Sequence, residues 1–161
     1  MSGSTVKRVV VERFDRELMR GFVNPQTCLL AGGMEVLSPD GSVAQVPYSQ
    51  IKAVSYVRDP EGHGVLSERR SFLARPKMAG LWVELKFRDG EMLEGILSNN
   101  LLLPDAHGYT LAPPESAGNA QRVFVPREAM SELVVLGVIG GKRKRSETNA
   151  PAQQIRLFAE E

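Results

Sequence analysis

The chain has 161 residues, 42% of them hydrophobic and 24% charged, which fits one ordinary domain or two small ones and excludes a disordered or membrane-embedded chain. Its formal net charge is +1, so no global field draws it onto nucleic acid and any basic surface is local. Cys28 is the only cysteine, which excludes an internal disulfide and a thiolate zinc site, and the absence of a signal peptide or of an apolar run of about 18 residues predicts a soluble, cytoplasmic protein.

Met1 to Thr5 is small and polar. The β-branched run Val6 to Phe14 reads as a strand, Asp15-Arg16 as a turn, and Leu18 to Val23 as a second strand with Gly21 inside it. Asn24-Pro25 ends that strand. Cys28 to Ala31 fits either a short strand or one helical turn. Met34 to Leu37 and Val43 to Val46 flank Ser38-Pro39-Asp40-Gly41, a hairpin signal. Pro47 and Tyr48-Ser49-Gln50 predict a single 3₁₀ turn, after which Ile51 to Val57 closes as a strand. The linker DPEGHGVLSERRSFLARPKMA, 59–79, is loosened by Pro60, Gly62 and Gly64. A short helix is expected over Val65 to Ala74, with Phe72 and Leu73 capping the end of a barrel. From Leu81 the apolar Leu81, Val83, Leu85 and Phe87 alternate with Trp82, Glu84, Lys86 and Arg88, a period of two. Asp89-Gly90 turns the chain, and Met92 to Leu97 resumes an extended pattern that Gly95 bends.

The second half repeats the plan of the first. Phe14 to Phe22 aligns on Phe87 to Ile96 with one extra turn residue. Val46-Pro47, Ile51 and Val54 align on Val125-Pro126, Met130 and Leu133 at identical spacing. The expected organisation is all-β: a first small barrel over 6–58, a basic linker over 59–79, a second barrel over 80–138, and a disordered tail over 139–161. The expected core is Val10, Phe14, Phe22, Val36, Ile51, Val54, Val83, Leu85, Phe87, Ile96, Phe124, Val125 and Leu133.

Val83-Glu84-Leu85-Lys86-Phe87, then Asp89-Gly90, Gly95-Ile96-Leu97 and Asn99-Asn100-Leu101, resembles the first half of the Sm signature over about a quarter of the chain. Where the second half of that signature has a glycine-bearing RNA-contacting turn, this chain has Val125-Pro126-Arg127. As a whole the sequence resembles uncharacterised bacterial proteins of tandem barrel form. The resemblance implies two tandem SH3/Sm-like barrels and, as a function, an RNA- or DNA-binding module.

No catalytic set stands out, so a non-enzymatic protein without cofactor or metal is expected. His63 and His107 each neighbour a glycine in a predicted loop, and neither has a partner at metal-ligand spacing. Ser67 and Ser71 have no histidine in register. Arg69, Arg70, Arg75 and Lys77 in the linker can fork onto phosphates. They loosely resemble the arginine pair that opens cyclic-dinucleotide-binding PilZ domains, which implies a signalling adaptor; the plainer reading is a solvated linker face. Lys142, Arg143, Lys144 and Arg145 form a second basic cluster, suited to weak, salt-dependent nucleic-acid or anion binding.

In the tail, Gln154-Ile155-Arg156-Leu157-Phe158 resembles the bacterial sliding-clamp-binding peptide, Gln-x-x-Leu-Phe with an aliphatic second position. Gln154, Ile155, Leu157 and Phe158 are then the partner-binding residues and a bacterial sliding clamp is the partner. The competing reading packs Ile155, Leu157 and Phe158 back on the protein's own barrel.

Overall fold

The computed structural model describes residues 6–98, 106–115 and 118–140. These residues are all-β. The strands are β1 Lys7–Arg13, β2 Leu18–Val23, β3 Leu29–Leu30, β4 Gly33–Leu37, β5 Val43–Val46, β6 Ile51–Val57, β7 Gly80–Phe87, β8 Met92–Leu97, β9 Gly108–Ala112, β10 Ala120–Pro126 and β11 Met130–Ile139. They form one open antiparallel sheet of eleven strands in the order β11-β7-β8-β9-β10-β6-β1-β2-β4-β3, with β5 on β4. Among the described residues there is no α-helix, and none long and apolar enough to cross a membrane.

The internal repeat is visible in the pairing. β1 pairs β2 and β6, β2 pairs β4, and β4 pairs β5. In the same way β7 pairs β8 and β11, β8 pairs β9, and β9 pairs β10. Each half re-enters its last strand through a 3₁₀ turn opened by proline, Tyr48–Gln50 after Pro47 and Arg127–Ala129 after Pro126. Proline fixes the extended backbone there, and its missing N–H costs the ladder nothing at a strand exit. A Cβ on Gly33 would strike the Val46 carbonyl, and one on Gly108 the Val125 carbonyl. Both halves thus use glycine at the same close backbone crossing.

The extra turn residue expected in the second half is not there. The Arg13 N–H donates to the Glu17 carbonyl, as the Phe87 N–H does to Glu91, and Arg16 closes its turn on Arg13 as Gly90 does on Phe87. Arg13 therefore corresponds to Phe87, and Arg16 to Gly90. Arg16 takes φ 72° where Gly90 takes 96°. A left-handed position ordinarily given to glycine is held here by arginine, and this disguised the equal length of the two turns.

β6 and β10 join the halves, with Val54 opposite Phe124, Ser55 opposite Val123, Tyr56 opposite Arg122 and Val57 opposite Ala120. The two apolar cores exchange residues across this join. Phe124 of β10 packs with Val9, Val11, Met34 and Val36 of the first half. Ala53 of β6 packs with Val83, Leu85, Phe87 and Leu111 of the second. Of the expected core, Phe14, Phe22 and Leu133 are only half-buried and the other ten are buried. Phe14 sits in the β1–β2 turn beneath a guanidinium rather than inside the sheet.

The linker does not form the expected helix. One 3₁₀ turn, Val65–Ser67, is all that forms. Its backbone groups are claimed by the sheet instead. The Val65 N–H donates to the Ser55 hydroxyl at 2.9 Å, the Phe72 N–H to Glu94 Oε1 at 3.1 Å, and the Arg70 carbonyl accepts the Glu94 N–H at 2.8 Å. Tertiary partners outcompete the local ladder over so short a segment.

Candidate functional site

The polar residues that the fold gathers lie along the seam between the halves. Lys52 of β6 has a side chain only 7% exposed. Its ammonium donates to Asp89 Oδ2 at 2.6 Å and to Glu91, both in the β7–β8 turn. A buried ammonium is tolerated only when paired in this way. Burial works to raise Asp89, but the Lys52 hydrogen bond and charge hold it below the usual carboxylate range; the Lys52 hydrogen bond likewise holds Glu91 low against its burial. Beside them the Arg88 guanidinium stacks 3.7 Å from the centre of the Phe14 ring. It donates to the Ser49 carbonyl at 2.6 Å and the Glu128 carbonyl at 2.9 Å, one in each proline-opened turn. One turn thus grips both halves.

The linker is bound down as a strap. Glu12 of β1, 5% exposed, accepts a 3.4 Å hydrogen bond from the Leu66 N–H. Burial pushes its carboxyl up to about 7, against the Leu66 hydrogen bond and the charges of Arg70 and Lys52. Further on, Glu68 accepts the Asn119 N–H at 2.7 Å and the Ala120 N–H at 3.3 Å. The Asn119 side chain accepts the Asp59 N–H at 2.8 Å and donates to the Asp59 and His63 carbonyls at 3.1 and 2.9 Å.

The linker cations expected to bind anions are dispersed along this strap. Arg69 Nη1 donates to Glu115 Oε1 at 3.0 Å. Arg70 forks onto the Leu66 carbonyl at 3.3 and 3.0 Å and reaches Glu91 at 3.5 Å. Arg75 donates to the Val138 carbonyl at 3.3 Å, and Lys77 is exposed. The partners of the three arginines are scattered: Glu115 lies between β9 and β10, Leu66 in the linker itself, Glu91 in the β7–β8 turn and Val138 on β11. His63 Nε2 lies 3.3 Å from Glu68, and His107 stacks on Tyr48 with ring centres 4.8 Å apart. Among the described residues no three His, Cys, Asp or Glu side chains gather at metal-binding distance. Lys142, Arg143, Lys144, Arg145, Gln154, Ile155, Leu157 and Phe158 lie outside the described residues.

A shallow groove of about 370 Å³ opens where β1, β2, β6 and β10 meet, lined by Val6, Lys7, Arg8, Phe22, Tyr56, Val57 and Gln121. It combines two cations and two aromatic rings, with no carboxylate in its lining. Sequence reasoning missed it because its members are spread along the chain. The registers Arg8 opposite Phe22, Val9 opposite Tyr56 and Ala120 opposite Val57 bring them together.

No curated protein and no solved structure matches the chain. A family model, described as a family of unknown function (DUF6982), matches residues 5–137, nearly the whole described sheet, and the chain belongs to that family.

Proposed function

We propose that the chain is a non-enzymatic adaptor, built as two tandem SH3/Sm-like barrels that share a join and tethered to a bacterial sliding clamp through its C-terminal peptide. The observation that carries this reading is the position of Gln154-Ile155-Arg156-Leu157-Phe158. The peptide lies past Ile139, where the last strand among the described residues ends, and past residue 137, where the family match ends. In this reading Gln154 fills a small polar site, and Leu157 and Phe158 anchor in an apolar pocket of the clamp. Calorimetry of the full chain with purified clamp should give micromolar affinity, about −8 kcal/mol. The double change L157A/F158A should weaken it by about a hundredfold or more, since each anchor contributes about 1.5–3 kcal/mol, and leave the melting temperature unchanged. Absence of any heat removes the clamp from this reading. A lowered melting temperature with no change in partner would place the peptide on its own sheet.

A second reading is favoured by the groove. Lys7 and Arg8 beside Phe22 and Tyr56 suit weak binding of a phosphate-bearing strand. Arg69, Arg70, Arg75 and Lys77, with Lys142 to Arg145, are the other cations it could recruit. Such binding should fall steeply with salt. Oligonucleotide binding that K7A/R8A leaves intact would remove the groove from this reading.

A further inference from the structure

Among the described residues, the outer edge of β11 pairs with no strand, and neither does the outer edge of β5. β11 carries Val134, Val135, Leu136 and Val138 at 40%, 51%, 42% and 60% exposure, and Val43 of β5 is 61% exposed. Soluble β proteins ordinarily blunt such an edge with lysine, proline or a cover. β11, MSELVVLGVI, has neither lysine nor proline, and Glu132 is its only charge. The Arg75 guanidinium takes the Val138 carbonyl, two residues beyond Leu136, and so guards only the far end.

These two edges are the repeat counterparts of two strands already joined inside the chain. β11 corresponds to β6, since each follows a proline-opened turn and pairs the first strand of its half. β5 corresponds to β10, since each precedes that turn. The common Val-Pro spacing carries Val54, Ser55, Tyr56 and Val57 onto Leu133, Val134, Val135 and Leu136. It carries Arg122, Val123 and Phe124 onto Val43, Ala44 and Gln45. Where the join is made, Ser55, Val57, Val123 and Phe124 are 0%, 5%, 0% and 2% exposed. The same places on β11, Val134 and Leu136, are exposed and apolar, and on β5 Gln45 is exposed and Ala44 half-buried.

We propose that a second copy of this chain continues the sheet, laying its β5 along β11 of the first. In the register of the internal join, Val43 stands opposite Val135, Ala44 opposite Val134 and Gln45 opposite Leu133. Main-chain hydrogen bonds supply affinity and the apolar side chains supply fit, as in other strand additions. Each copy contributes a different edge, so the contact is head-to-tail and propagates until a ring closes.

The test is the solution mass of the full chain by sedimentation or light scattering, up to about 100 μM, above the micromolar range in which small interfaces form. The wild type should exceed its monomer mass of 17.7 kDa and grow with concentration. V43K and V135K should each be monomeric with an unchanged melting temperature. Mixed, they should give a two-chain complex and nothing larger, because one has an intact β11 and the other an intact β5. The charge-paired variant V43E/V135K should recover assembly. A wild type that stays monomeric at the highest concentration overturns the proposal. So does V43K that still self-associates, which would mean a symmetric β11–β11 contact. So does V135K that shifts only the melting temperature of a monomer, which would mean that the chain's own 141–161 covers the edge.

Discussion

Glu12 gives the sharpest handle on how the strap is held. Its carboxyl is raised from 4.5 to about 7 because it is buried beneath Leu66 and Gly64. In the unfolded chain it titrates normally, so between these values the folded state binds more proton than the unfolded one. Stability from this group is therefore full below about pH 4.5 and is lost as pH rises through about 7. A shift of that size, at 1.36 kcal/mol per unit, corresponds to about 3 kcal/mol. Glu12→Gln keeps the acceptor for the Leu66 N–H and removes the charge. Urea denaturation should show wild type and variant with similar stability near pH 4.5. The variant should become the more stable by up to about 3 kcal/mol near pH 8. Asp89 and Glu91 titrate in the opposite sense, but both lie below the usual carboxylate range and act at lower pH. Parallel pH profiles for the two proteins would refute the argument, since they would mean that Glu12 is solvated or fully compensated in the native state.

Lys52→Met should destabilise at neutral pH by about 1–3 kcal/mol, since it strands two carboxylates beside an apolar stem, and the loss should shrink in acid as Asp89 and Glu91 protonate; thermal melts at two pH values read this. Asn119→Ala removes three side-chain hydrogen bonds to the strap and should lower stability by about 1–3 kcal/mol, with faster proteolysis within 59–68 as the specific signature. Gly108→Ala places a methyl against the Val125 carbonyl, Pro126 and the Phe124 ring and should cost about 1–3 kcal/mol, read as a lowered urea midpoint.

The strands were legible where the pattern is local. Alternation from Leu81 to Phe87 announces β7, Asp40-Gly41 announces the β4–β5 hairpin, and the two Val-Pro steps announce the 3₁₀ turns and the repeat. What the sequence does not display is pairing between distant strands. Ile51 to Val57 reads as a strand, but nothing local shows that its Ser55 and Tyr56 form the middle of the join with Val123 and Arg122. For the same reason the linker looked free to become a helix: its true partners, Glu12, Ser55 and Glu94, lie 54, 10 and 22 residues away. The linker arginines were recognisable as a cluster of charge, but not as ligands for carbonyls and carboxylates of the same chain. The groove was missed because Lys7 and Arg8 gain meaning only beside Phe22 and Tyr56.

The join between β6 and β10 also dictates an order of events during synthesis. A ribosome delivers β6 well before β10, at about 5–20 residues per second. For several seconds the first half therefore exists with the β6 edge bare and without Phe124, a large side chain of its core that the second half supplies. That nascent species resembles an open zipper, with an unpaired apolar edge exposed at the moment when neighbouring polysomes carry identical edges. Chains stalled near residue 79 should be protease-sensitive and prone to cross-pairing, and chains stalled beyond β11 should be protected. Translation speed through 59–119 thus becomes a variable on which yield depends, although no residue of that stretch belongs to β6 or β10.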